Sequence, residues 1–333
     1  MTRQNPVMRI SGGVLALIVA LAGSACAPGG PAEPRGDARG AAALPDATAP
    51  APATPGGGAD GTASGPPAGA PRPTGSAPAG TVDGPSSVAA APAAAEQRRR
   101  LTARLDRYLR GRPGRASVAV YDRVTGMRYQ YREGTPYRLG DVAELDILLV
   151  LLLRAQGRPR GLTPAERDLA TKMIRLGDDQ AAERLYAALG GRAGVARTLR
   201  RVGLDRTLPG PGLRWKETRS VVSDQLRVLD LLTAPGGPLN DRNRAFAAAL
   251  LAVDAPGRHG GVGAATMARD RVALRNGRLR HRDRWTVTSA GRIVSPSRDT
   301  LIAVLSDRHP RPATGRATVE RVATLVMDEV RRD

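Results

Sequence analysis

Residues 145–153 are apolar at every position except Asp146. A helix built from this run is apolar on nearly every side, and such a helix belongs inside a protein. It is too short to cross a bilayer. On either side the pattern changes from segment to segment. Residues 96–110 bring Leu101, Leu105, Tyr108 and Leu109 onto one helical face. Residues 116–122 and 127–132 read as two β-runs around Arg123-Val124-Thr125-Gly126, a hairpin signal. Thr163 followed by Pro164 marks a helix start, and the periodicity continues through Leu169, Met173 and Ile174 to a break at Gly177. Two further helices are expected over 190–204 and 221–232, strands over 272–277, 285–293 and 301–305, and a closing amphipathic helix over 318–330. The pattern as a whole predicts one mixed α/β domain packed around a buried central helix.

Just before the apolar run, Asp141 and Glu144 stand three residues apart. At that spacing an N-cap side chain and an acid in the first turn each satisfy an orphan backbone N–H, and both suit the positive end of the helix dipole. The same pair reads, less simply, as the acid and base of a paired-carboxylate hydrolase. A capping box is the plainer expectation.

The first part of the chain has no such patterning. Arg3 and Arg9 precede an apolar run over 14–22, and Gly23-Ser24-Ala25-Cys26 follows, the layout of a secretory signal peptide over 1–25. Cys26 is the only cysteine, so no intrachain disulfide forms. Its place behind small residues resembles the lipobox of bacterial lipoproteins, in which that thiol is acylated. This implies an exported protein with a lipid anchor facing outside, with plain secretion as the alternative. Residues 26–95 are rich in Ala, Pro, Gly, Ser and Thr, and such a segment does not bury enough apolar area to offset its ordering entropy, so it reads as a disordered spacer. The folded domain is then residues 96–333.

Charge sharpens the picture. Five basic and five acidic residues fall before residue 96, so the net charge of +20 belongs to the domain. It is carried almost entirely by arginine, since Lys172 and Lys216 are the only lysines. Such a surface favours anionic lipid headgroups or acidic wall polymers. An exported chain with 3% aromatic residues lacks the stacking groups of a nucleic-acid binder. His259, His281 and His309 are scattered, without metal-ligand spacing, and no phosphate loop or Gly-x-Ser-x-Gly elbow occurs, so no cofactor or metal is implied.

Several phrases together carry a family resemblance. Ala119-Val120-Tyr121-Asp122 with Thr125-Gly126, the stretch from Met173 through Asp178 to Ala182, and Val202-Gly203-Leu204-Asp205-Arg206-Thr207 occur in the order seen in the class A beta-lactamase-like branch of the penicillin-recognising serine hydrolases. The resemblance covers residues 116–330. It implies a beta-lactamase/transpeptidase-like fold, an antiparallel sheet flanked by helices with an all-helical subdomain around the central helix. In that family a Ser-x-x-Lys motif opens the central helix. Asp141 stands at the serine position and Glu144 at the lysine position. In the second motif Gly177 replaces serine and Asp179 replaces asparagine. Arg275-Asn276-Gly277 resembles the Lys-Thr-Gly motif with its charge kept, a group suited to a carboxylate such as a peptide C-terminus. Glu217 lies near the usual place of a deacylating acid without its motif, and reads as a loop acid. The resemblance therefore implies a catalytically degenerate envelope lipoprotein that binds peptidoglycan, an anionic wall polymer, the membrane surface or a protein partner. The alternative is an active serine hydrolase on beta-lactams or peptidoglycan peptides, recruiting another serine such as Ser117 or Ser289.

Overall fold

The structure, a computed structural model, describes residues 86–253 and 260–332. The expected signal peptide, Cys26, the spacer up to residue 85, and His259 lie outside the described residues. Helix α1 (Ser86–Leu109) begins earlier than the boundary expected at residue 96, and buries Leu101 and Leu105. Strands β1 (Arg115–Asp122) and β2 (Arg128–Tyr131) form the expected hairpin. Gly126 supplies the turn's left-handed residue at φ +76°, a conformation glycine adopts without steric penalty.

Three long strands, β6 (Arg271–His281), β7 (Arg284–Ser295) and β8 (Arg298–His309), extend the sheet, and the short β5 (Ala252–Val253) sits at its edge. The order is β2-β1-β8-β7-β6-β5, with every neighbouring pair antiparallel. Alternation along the strands then assigns the two faces. Val118, Val120, Ile302 and Val304 pack with α1 and the C-terminal helix α8 (Pro312–Val330). Ala119, Leu301, Ala303 and Leu305 pack toward the central helix α2 (Ala143–Gln156) and α6 (Val222–Thr233).

Around α2 lie α3 (Pro164–Thr171), α4 (Asp179–Ala188), α5 (Gly191–Arg201) and α7 (Asp241–Leu251). Every residue of α2 from Ala143 to Leu152 is buried, as the all-apolar run requires. Its polar exception, Asp146, is buried against a neutral partner: the Gln225 side-chain amide donates to it at 3.2 Å and also to Ser220 Oγ at 3.2 Å. The architecture is thus an antiparallel sheet flanked by helices, with a helical cluster around a buried central helix.

The capping box forms at a different helix from the one expected. In α3 the Glu166 N–H donates to Thr163 Oγ1 at 3.2 Å, and the Thr163 N–H donates to Glu166 Oε2 at 2.9 Å. Helix α2 has no side-chain cap. The chain enters it through a 3-10 turn, Gly140–Val142, so the residue before α2 is already helical (φ −62°, ψ −25°) rather than extended. An N-cap side chain needs the extended geometry to turn back onto the first turn. Asp141 and Glu144 consequently make other contacts.

Candidate functional site

Two glycines let the start of the central helix lie directly on the sheet. Gly140 has φ +57°, and a Cβ there would stand 2.9 Å from the Arg278 backbone nitrogen. A Cβ on Gly277 would stand 2.5 Å from the Leu139 carbonyl oxygen and 2.8 Å from the Val142 nitrogen. The neighbouring strand secures this contact, with Thr288 Oγ1 donating to the Leu139 carbonyl at 2.6 Å.

The close approach brings Asp141 and Glu144 to β6, and each is paired with a cation, Glu144 with Arg275 of β6 and Asp141 with Lys216 from the turn at 215–217. Arg275 Nη2 donates to Glu144 Oε1 at 2.7 Å, and Nη1 donates to the Ile174 carbonyl at 3.2 Å. Glu144 is wholly buried, and its Oε2 has no partner. Burial pushes its carboxyl up to about 8, against the pull of the Arg275 guanidinium. Asp141 is half-buried: one oxygen lies 3.0 Å from Lys216 Nζ, and the other accepts from the Arg278 N–H at 3.4 Å. Lys216 also donates to Asp179 at 2.7 Å. Partial burial works against its ammonium, but the hydrogen bonds to Asp179 and Asp141 outweigh it and hold the group above its ordinary range.

Gly177 completes the wall. It ends a π-helical turn, Lys172–Leu176, in the left-handed conformation (φ +66°), and a Cβ there would stand 3.6 Å from Arg275 Nη2. Asp178, beside it, caps α4 by accepting from the Gln180 and Ala181 N–H groups.

The structure therefore brings together Asp141, Glu144, Gly177, Asp179, Arg275 and Gly277. Asn276 falls on the alternate face of β6, where its Oδ1 accepts from Ser289 Oγ at 2.6 Å. Lys216 joins the cluster without any motif announcing it. The available signal was composition, since it is one of two lysines among 51 basic residues. Glu217 instead faces Arg214 at 3.7 Å.

A cavity of about 440 Å³ opens beside Asp141, bounded by Asn276, Gly277, Arg278, Thr288 and Arg316 among others. Among its described lining residues the one hydroxyl is that of Thr288, already committed to the Leu139 carbonyl. Ser117 is buried, donating to the Arg132 carbonyl at 2.7 Å and lying 2.9 Å from the Tyr137 hydroxyl. Ser289 is also buried, between Asn276 and the Val262 N–H. Among the described residues neither serine hydrogen-bonds a basic side chain. Among the described residues no group of three or more metal-ligating side chains assembles, and no helix is long and apolar enough to cross a membrane.

Comparison with known proteins places this geometry. No family model matches the chain. A Mycobacterium tuberculosis protein described as "Putative lipoprotein LppW" is 33% identical over 211 residues, 61% of this chain. A Mycobacterium bovis protein of the same description matches equally. The chain spans 66% of the length of these curated relatives. Among solved structures, a class A beta-lactamase from Bacteroides cellulosilyticus superposes with a TM-score of 0.61 at 14% identity, over 71% of this chain and 99% of that one. The TLA-1 extended-spectrum beta-lactamase gives a TM-score of 0.62 at 12% identity, over 70% and 99%. An ancestral class A beta-lactamase gives 0.58 at 23% identity, over 68% and 99%. At such identities these likenesses establish the fold, which is that of the class A beta-lactamases.

Proposed function

We propose that this chain is a non-catalytic, lipid-anchored protein of the bacterial envelope, with a beta-lactamase-like domain that binds a wall component instead of hydrolysing one. The observation that carries this reading is the chemistry beside the 440 Å³ cavity. Acyl transfer needs a nucleophile with a base in hydrogen-bond reach. The entry to the central helix offers two carboxylates, Asp141 lining the cavity and tied to Lys216 and the Arg278 N–H, and Glu144 buried against Arg275. A carboxylate at Asp141 also repels a carboxylated substrate, so charge and lost nucleophilicity act in the same direction. The active serine hydrolase reading would need another serine, and the two named candidates, Ser117 and Ser289, are each buried with neutral hydrogen-bond partners.

The anchor is supported by Cys26 behind the apolar run of 14–22, and by the description of the mycobacterial relatives as lipoproteins. It places the domain outside the membrane at the end of a long spacer, where its basic surface meets anionic polymers. Two assays test the reading. Purified full-length chain is expected to turn over a chromogenic beta-lactam no faster than buffer, and saturable turnover would refute the non-catalytic assignment. Incorporation of a labelled fatty acid is expected in cells and lost in Cys26→Ala, whereas a soluble, unlabelled native chain would refute the anchor.

A further inference from the structure

Around the turn between β6 and β7, a second cavity of about 360 Å³ has arginine at six of its eleven lining positions. Arg138, Arg219, Arg282, Arg284 and Arg308 line it, with no ion pair or side-chain hydrogen bond from these guanidinium groups to any described residue. The carboxylate in its wall, Asp307, is held by Arg115 through two hydrogen bonds of 2.7 and 2.9 Å. Trp285 adds a flat apolar surface.

Three features of this wall run against what folding alone favours. Arg138 on β3 (Tyr137–Arg138) and Arg219 on β4 (Arg219–Ser220) are direct cross-strand partners, and like charges placed opposite one another destabilise a strand pair. Arg138 Nε is buried without a hydrogen-bond partner, a loss of solvation that nothing in the described protein returns. Finally, Arg282 and Arg308 hold left-handed backbone conformations, φ +53° and +64°. Arg282 sits in the two-residue turn closed by the His281–Arg284 pair, where Gly, Asn or Asp is the favoured residue. The described residues hold only one other non-glycine residue at positive φ, Arg132. Unfavourable placements that converge on one cavity are the pattern of a site selected for a ligand, not for stability.

We propose that this cavity binds a ligand carrying adjacent phosphate groups. The guanidinium fork matches phosphate oxygens in pairs, and five unpaired guanidiniums need closely spaced negative charge that a single carboxylate or sulfate does not supply. The volume lies at the small end of ligand sites, which suits a pyrophosphate group or two units of a phosphodiester chain. The biological setting rests on the envelope-binding reading above, but the chemistry of the site does not.

The test is isothermal titration of the full-length chain with inorganic pyrophosphate, poly(glycerol phosphate), and sulfate as control. Arg282→Gly and Arg308→Gly relieve the backbone strain while removing the charge. Each is expected to keep or raise the melting temperature and to weaken phosphate binding about tenfold, the effect of losing one charge-assisted contact. Arg197→Ala, an exposed arginine in a different cavity, is expected to leave binding unchanged. Tighter binding of pyrophosphate points to a small ligand, and tighter binding of the polymer to a wall chain. Binding no stronger than that of sulfate, wild-type affinity in both glycine variants, or an equal loss in Arg197→Ala overturns the proposal. Penicillin labelling of the same preparations reads the non-catalytic assignment separately, so a chain that labels yet binds pyrophosphate refutes that assignment and leaves this one standing.

Discussion

Asp146 is buried in the central helix with only the Gln225 amide as a partner, and burial pushes its carboxyl up to about 7 from 3.8. Because the folded value lies above the unfolded one, folding favours the protonated form. The stabilisation is fully present below pH 3.8 and is lost as the pH climbs through about 7. At 1.36 kcal/mol per unit, the loss of stability relative to acid pH is about 1 kcal/mol at pH 4.5, where the unfolded chain alone has ionised, and roughly 4 kcal/mol at pH 8.5. Asp146→Asn removes the titration, and its amide nitrogen can donate to Gln225 Oε1, which has no partner in the native protein. The variant is therefore expected to gain about 3 kcal/mol on the wild type between pH 4.5 and 8.5, because other titrating groups cancel in the difference. Urea unfolding at several pH values reads this as a midpoint gap widening by about 1 M, taking an m-value of about 3 kcal/mol/M for a domain of this size. Parallel curves across the range would refute a carboxyl held protonated by burial.

Two substitutions probe the contact between helix and sheet. Arg275→Met leaves Glu144 Oε1 and the Ile174 carbonyl without their donor, and is expected to cost about 3 kcal/mol in denaturant unfolding; Glu144→Leu added to it should recover most of that loss. Gly277→Ala drives a methyl to 2.5 Å from the Leu139 carbonyl oxygen and 2.6 Å from Thr288 Oγ1, so a loss of roughly 2 to 3 kcal/mol and a lower melting temperature are expected.

Where one residue type dominated a segment, the sequence was legible. The run 145–153 announced a buried helix because Asp146 alone in it suits water, and the β-runs over 116–122, 272–277, 285–293 and 301–305 announced the strands of a sheet. The entry into the central helix was not legible. Asp141 and Glu144 have the spacing of a capping box, but the spacing does not say whether the preceding residue is extended. A 3-10 turn held by Gly140 and Gly277 decided otherwise. Lys216 was hidden because a loop carries it to Asp141 and Asp179 from far along the chain, a pairing local pattern does not encode. Helix α7 was also missed, since its arginines and small alanines form no clear apolar stripe. Arg282 and Arg308 are set apart by their left-handed backbone angles, which no pattern of residue types encodes.

The central claim is that the cleft beside Asp141 forms no acyl-enzyme. Intact-mass spectrometry of the full-length chain after incubation with a fluorescent penicillin tests it directly, with the Asp141→Ser/Glu144→Lys double variant alongside. The account predicts an unmodified native mass, and a penicilloyl adduct on the double variant would show that the cleft still admits the ligand. A penicilloyl adduct on the native chain would contradict the account and mark the protein as a working serine hydrolase.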